Sequence, residues 1–370
     1  MSTTLYAEEA SATASQVRLR GFHPGWYGAV MGTAIVGIIA YQNPGQIAGL
    51  SELGRAFGVA MVALSAVLAV LLGIPYVARW IGHPDAARQD LANPVAGALY
   101  GTFPGGILVL AVGIATVGPS IGAPGDVTLT VGVLAAIGLV LAFVVSVLFA
   151  HLLFVTHPVG PEVSNGAWFI PPVVNIVVPL ALLPLVPHVA PSDAALLIFA
   201  AYAFWGMGFV LFVLVASLLY DRLIFHPLPA APLAPSLWIG LGPIGVGSLA
   251  LLRIAQAGAP LWGTAAPVVG VLSSLTATAL WGFGLWWLAS AVLLLAAYLR
   301  RGELPYGLGW WAFTFPLGAY TASTLALARS WHVGLLESAA VALFVLLLGF
   351  WLVVSAGTLR AMASGEVWRR

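Results

Sequence analysis

Apolar residues run along this chain in long, nearly unbroken stretches, interrupted by short breaks rich in proline, glycine, arginine and acid. The long alternation of a transmembrane barrel is missing, so the runs read as helices. A helix needs roughly 20 apolar residues to cross about 30 Å of hydrocarbon. Ten runs are candidates, at 24–42, 56–77, 97–117, 127–153, 167–187, 194–219, 236–257, 265–298, 306–328 and 333–359. The eighth is too long for one simple span and is expected to tilt or to begin as an interfacial turn near Pro267.

Composition agrees with this pattern. Apolar residues make up 61% and charged residues only 7% of 370 positions, against about 25% charged in a soluble domain. Twelve acids and thirteen arginines cannot solvate so much apolar chain, which excludes a soluble, disordered or nucleic-acid-binding protein. The fold class expected is an all-α integral membrane protein. Residues 1–20 form a short polar tail with Glu8 and Glu9, unlike a cleavable signal peptide. Residues 21–360 form the transmembrane domain, and 361–370 a second tail. Ten arginines fall on the side of the termini and three (Arg55, Arg253 and Arg329) on the other. Both termini are therefore expected in the cytoplasm, with the chain in an inner or plasma membrane.

The odd-numbered spans differ from the even ones. Prolines recur at 24, 104, 172, 243 and 316, each set among glycines and each about one helical hairpin from the next. Five helix pairs in parallel orientation would produce this repeat. Five kinked helices would form an inner ring and five straighter ones an outer ring. Chance recurrence is the alternative, since proline is common in membrane helices. A proline frees a backbone carbonyl, and such a break survives in lipid only against protein or a water-filled path. The candidate pore-lining residues are Gly32, Thr33, Thr102, Phe103, Pro104, Gly105, Pro172, Asn175, Pro243, Gly245, Gly247, Thr314 and Pro316, with Ser248 and Thr321 as further polar liners. Helix–helix hydrogen bonding is the competing role for each polar member.

Candidate chemistry is sparse. Cysteine is absent, so disulfides, thiolate metal sites and cysteine catalysis are excluded. No ionisable residue falls near the middle of a span; His23, His151, Arg253 and Glu337 lie toward the ends. That pattern disfavours a tightly proton-coupled carrier and a carboxylate-ringed cation site. His151 and His157 make a poor metal pair, and His83, Asp85 and Asp90 read as a solvated loop. No cofactor, metal or catalytic residue is implied.

In the ninth span, the run Trp310-Trp311-Ala312-Phe313-Thr314-Phe315-Pro316-Leu317 resembles the signature of the tellurite-resistance/dicarboxylate transporter family. That family includes bacterial tellurite-resistance proteins, plant slow-type guard-cell anion channels, fungal malate permeases and sulfite exporters. His23-Pro24-Gly25-Trp26-Tyr27-Gly28, Asn93-Pro94 with Phe103-Pro104, and Trp168 to Asn175 resemble it too. The resemblance implies ten helices in five hairpins with quasi-five-fold arrangement, odd helices around a central pore, and a homotrimer. It also implies a phenylalanine gate, here Phe315. The expected function is passage of small anions such as chloride or nitrate. The alternatives are a C4-dicarboxylate carrier, with or without protons, and a sulfite or tellurite exporter. A pair of buried arginines would favour the dicarboxylate reading, and none is evident in the spans.

Overall fold

The computed structural model describes residues 16–156 and 159–368, in which every regular element is helical. Glu8, Glu9, His157, Pro158 and the two terminal arginines lie outside the described residues. Ten helices exceed twelve residues: α1 Gly28–Tyr41, α2 Ser51–Gly82, α3 Thr102–Val117, α4 Pro124–Val155, α5 Ile170–Leu182, α6 Pro191–Phe225, α7 Leu241–Trp262, α8 Ala266–Arg300, α9 Phe315–Trp331 and α10 Gly334–Ala363. Among the described residues, eight helical stretches are long and apolar enough to cross a membrane. One of them, Ala231–Arg300, contains both α7 and α8, which are joined through the 3-10 turn Gly263–Ala265. Pro267 is the second residue of α8, so the break expected near it is this turn.

The even helices are 30 to 35 residues long. At 1.5 Å per residue they exceed the hydrocarbon thickness, so they must tilt or project. Their ends carry matched charges. An acid stands in the first turn of α2 (Glu52), α4 (Asp126), α6 (Asp193) and α10 (Glu337). An arginine stands in the last turn of α2 (Arg79), α6 (Arg222), α8 (Arg300) and α10 (Arg360). Each charge opposes the partial charge of its helix end.

The odd helices are shorter, and their motif prolines do not kink them in the middle. Pro104 and Pro243 are third residues of α3 and α7, Pro316 is the second of α9, and Pro171 and Pro172 follow Ile170 at the start of α5. There the missing N–H is one that has no helical partner anyway. A 3-10 segment precedes four of the five odd helices: Pro24–Tyr27, Gly166–Phe169, Ala231–Gly240 and Leu308–Phe313. Where five kinked helices were expected, four of the five instead begin at a junction between 3-10 and α-helix. True interior prolines are Pro179 and Pro260 in odd helices and Pro75 in α2.

Each even helix packs closely on the odd helix before it, as α1 with α2, α3 with α4, α5 with α6, α7 with α8 and α9 with α10. The odd helices also contact one another in a closed circuit, α1–α3–α5–α7–α9–α1. Burial follows the same division. The Pro24–Tyr41 and Gly166–His188 stretches are 89% and 78% buried in their apolar windows, whereas Pro124–Val155 and Gly334–Ala363 are 28% and 17% buried. The outward faces of the even helices carry large apolar side chains such as Val140, Phe199, Val210 and Leu352, fully consistent with lipid contact. At one end of the bundle Trp368 packs on Phe22 and Trp26, with ring centroids 6.5 and 5.8 Å away. The first and last described segments therefore meet on one face.

Candidate functional site

Two cavities lie inside the circuit of odd helices. The larger, about 500 Å³, is lined by the C-terminal halves of α1, α3 and α5, the middle of α7, the N-terminal half of α9 and the segment after α5. Its wall includes Ile35 and Ile38 of α1, Val109 and Val112 of α3, Val177 of α5, Val246 and Leu249 of α7, and Ala319 of α9. Gln42, Thr116, Arg253 and Gln256 supply its polar groups, and Arg253 is its one charged residue. The smaller, about 320 Å³, is lined by the N-terminal ends and their 3-10 segments, including His23, Gly28, Met31, Thr102, Ile170, Val173, Ser236 and Pro316. No residue of α2, α4, α6, α8 or α10 lines either cavity.

Phe315 is the one residue in the walls of both cavities. It is the first residue of α9, preceded by Thr314 at φ −91° and ψ −74°. Its ring is 6% exposed. Facing it on α7 is Gly242, where an added Cβ would stand 3.9 Å from Phe315 Cε1. A glycine here leaves the ring space that a side chain on α7 would occupy.

Of the other candidate liners, Thr102 and Pro316 lie on the wall of the smaller cavity. The Thr102 hydroxyl reaches the carbonyls of Pro24 at 2.9 Å and Leu99 at 2.8 Å, tying the start of α3 to the segment before α1. The rest sit in seams between helices and line neither cavity. Gly32 lies against Thr314 and Trp311. Thr33 accepts from Trp351 Nε1 of α10 at 3.1 Å. Phe103 turns outward and stacks on Tyr76 of α2 at 4.3 Å. Gly105 faces Met31 and Val174. The Pro172 carbonyl faces Gly208 of α6, and Pro104 and Pro243 are buried. Asn175 donates to Ser146 of α4 and to the Pro171 carbonyl. Gly245 lies against the Ala319–Tyr320 backbone, and Gly247 against Leu280. Thr314 donates to the Trp311 carbonyl at 2.7 Å, Ser248 to Ala277 at 2.7 Å and Thr321 to Leu317 at 2.8 Å. For these polar residues, bonding within and between helices is what the geometry displays.

Buried arginines stand at the helix ends, beyond the spans read from the sequence. Arg79 bonds Asp90 at 2.6 Å, the Tyr100 hydroxyl and the carbonyls of Arg20 and Ala86. Asp90, with Asp85, belongs to the short helix Pro84–Ala92 and not to a solvated loop. Arg222 donates to the Ser164 carbonyl. Both arginines serve protein partners, and neither lines a cavity. His151 is exposed on α4.

The cavity walls run along the helices as stripes. Residues 31, 35, 38 and 42 on α1 and 246, 249, 253 and 256 on α7 repeat at three- and four-residue spacing, one face of a helix. Prolines and hydroxyls drew attention away from these mostly aliphatic stripes. Arg253 was set aside as a span-end residue, yet α7 continues nine residues beyond it to Trp262.

A helical bundle with two internal cavities meeting at one side chain defines a class, the multi-pass membrane proteins that pass solutes. Comparison with known proteins narrows it. The sequence profile of the SLAC1 family, described as a voltage-dependent anion channel, matches residues 21–359. The chain belongs to this family, the one its motifs resemble. It is 33% identical to an uncharacterized transporter of Methanocaldococcus jannaschii, over 95% of this chain and 96% of that protein. It is 27% identical to the sulfite efflux pump SSU1 of Trichophyton rubrum, over 98% and 96% of the two chains. It is 23% identical to the malic acid transport protein of Schizosaccharomyces pombe, over 84% and 72%.

Proposed function

We propose that the protein passes small anions such as chloride and nitrate through a pore of its own, closed at Phe315. Ten crossings in five hairpins, arranged with quasi-five-fold symmetry, would place α1, α3, α5, α7 and α9 around that pore. The observation carrying this reading is that two cavities inside the circuit of odd helices share Phe315 alone. An apolar ring between two chambers is a barrier that resists wetting and forces an anion to shed water. Aliphatic walls without a carboxylate disfavour cations and hold an anion weakly enough to release it.

Orientation and assembly belong to the same proposal. The contact between Trp368 and Trp26 supports an even number of crossings, and the arginine count supports a cytoplasmic location for that face. The Arg253 cavity then opens outward. A homotrimer would hold three separate pores, since one chain supplies both cavities.

The second reading is a carrier for sulfite or a malate-type dicarboxylate, favoured by the relatives of those names. Purified protein in planar bilayers, with anions exchanged one at a time, separates the two. The pore reading expects unitary anion currents, raised in Phe315→Ala. Lowering the barrier by only about 1.4 kcal/mol gives about a tenfold rise. Equal currents in wild type and Phe315→Ala, with slow saturable malate or sulfite uptake in liposomes, would sink it in favour of the carrier.

A further inference from the structure

We propose that Arg253, with the amides of Gln256 and Gln42, forms a capture site in the larger cavity for a singly charged planar oxyanion, of which nitrate and formate are examples. This rests on the pore reading and deepens it. Arg253 stands on the cavity-lining stripe of α7, one turn past Leu249 and one turn before Gln256. Its neighbours in sequence, Leu252 and Ile254, are buried on other faces of the helix, which leaves the arginine directed to the cavity. Nine residues of α7 still follow it, about 13 Å of helix. An arginine placed merely to reach bulk water would sit at the helix end.

The guanidinium is poorly occupied by protein. Its Nη1 donates to Gln256 Oε1 at 3.1 Å, a contact on its own helix. Among the described residues it has no ion pair. A guanidinium carries five N–H donors, so one bond to Gln256 leaves most of them for solvent or a ligand in the cavity. The other arginine at this mouth is already engaged. Arg329 bonds Glu337 at 3.1 Å and donates to the carbonyls of Gln42 and Asn43. That holds Gln42 in place on the wall and leaves Arg253 as the uncompensated charge.

Geometry selects the ligand class. Two parallel N–H groups match two coplanar oxygens, a fit that a spherical halide cannot use. One charge balances one charge. A dianion would leave its second carboxylate against Ile35, Ile38, Val109 and Val246, with no cation to meet it. The site therefore concentrates monovalent oxyanions on the wall of the chamber that Phe315 also borders.

The test compares wild type with Arg253→Gln and Arg253→Lys in reconstituted membranes, with nitrate, formate, chloride or succinate added to one side only. Arg253→Gln should raise the half-saturating nitrate concentration about tenfold from the Arg253 side, as loss of a charged hydrogen bond predicts, and leave it unchanged from the other. Arg253→Lys keeps the charge but loses the fork, so chloride passage should persist while preference for nitrate over chloride falls. Unchanged saturation and selectivity in Arg253→Gln overturn the site. So does succinate competing more strongly than formate. Binding is read separately, as the rise in melting temperature that nitrate produces in detergent at constant ionic strength. A rise in wild type that Arg253→Gln abolishes supports the site even where no variant carries current, an outcome that counts against the pore and not the site. An equal rise in both proteins overturns it.

Discussion

Phe313 and Phe315 stand two residues apart and meet different surroundings. Phe313 is 1% exposed, stacked on Phe350 at 5.1 Å and held edge-on by Trp238 and Trp310 at 5.4 and 5.7 Å. Phe315 borders two cavities instead. Replacing Phe313 by alanine empties a close-packed aromatic site and should cost roughly 3–5 kcal/mol. Thermal unfolding in detergent measures this; Phe313→Ala should melt well below wild type, and Phe315→Ala close to it. A gain of anion current in Phe313→Ala with none in Phe315→Ala would transfer the gate to the other ring. The resemblance in the ninth span implies a gate at Phe315 by motif, and its place on the walls of both cavities supports that proposal.

At the scale of the elements, backbone contact between helices sets what glycine does. An added Cβ at Gly245 would lie 2.5 Å from the Ala319 carbonyl carbon, and backbone cannot step aside as a side chain can. At Gly247 it would meet the flexible end of Leu280 at 3.1 Å. Gly245→Ala should therefore part α7 from α9 and lower the yield of monodisperse protein, whereas Gly247→Ala should be mild; size-exclusion profiles of the two decide. The cysteine-free chain also permits accessibility mapping. Single cysteines at Val246 and Thr102 should react with water-soluble thiol reagents, and those at Asn175 and Val140 should not. Reaction at Asn175 without Val246 would contradict the assigned wall. Hydropathy located the helices because lipid demands apolar length, and the prolines marked the inner set because their segments begin in 3-10 geometry. Which face of each inner helix meets the cavity was not legible. Buried seams and cavity walls are both apolar, and Asn175 looks the same in sequence whether it faces Ser146 or water.

For the whole molecule, α2, α6 and α10 each carry acid at one end and arginine at the other, so the charge bias and the helix dipoles favour one orientation together. Reporter tags at either terminus should be reachable only from the cytoplasmic side. Labelling of one terminus from outside intact cells would break the proposed topology. The order of the helices explains the repeat in the sequence, since a short helix that begins near a proline alternates with a long one along the chain. The meeting of the cavities at a single ring has an electrical consequence. Water reaching Phe315 from both sides would leave the membrane voltage to fall across about one side chain and not along the length of a tunnel. An ion would then gain most of its energy from the voltage, about 2.3 kcal/mol per 100 mV for a unit charge, in the one step past that ring. Conduction would respond steeply to voltage without any charged helix having to move.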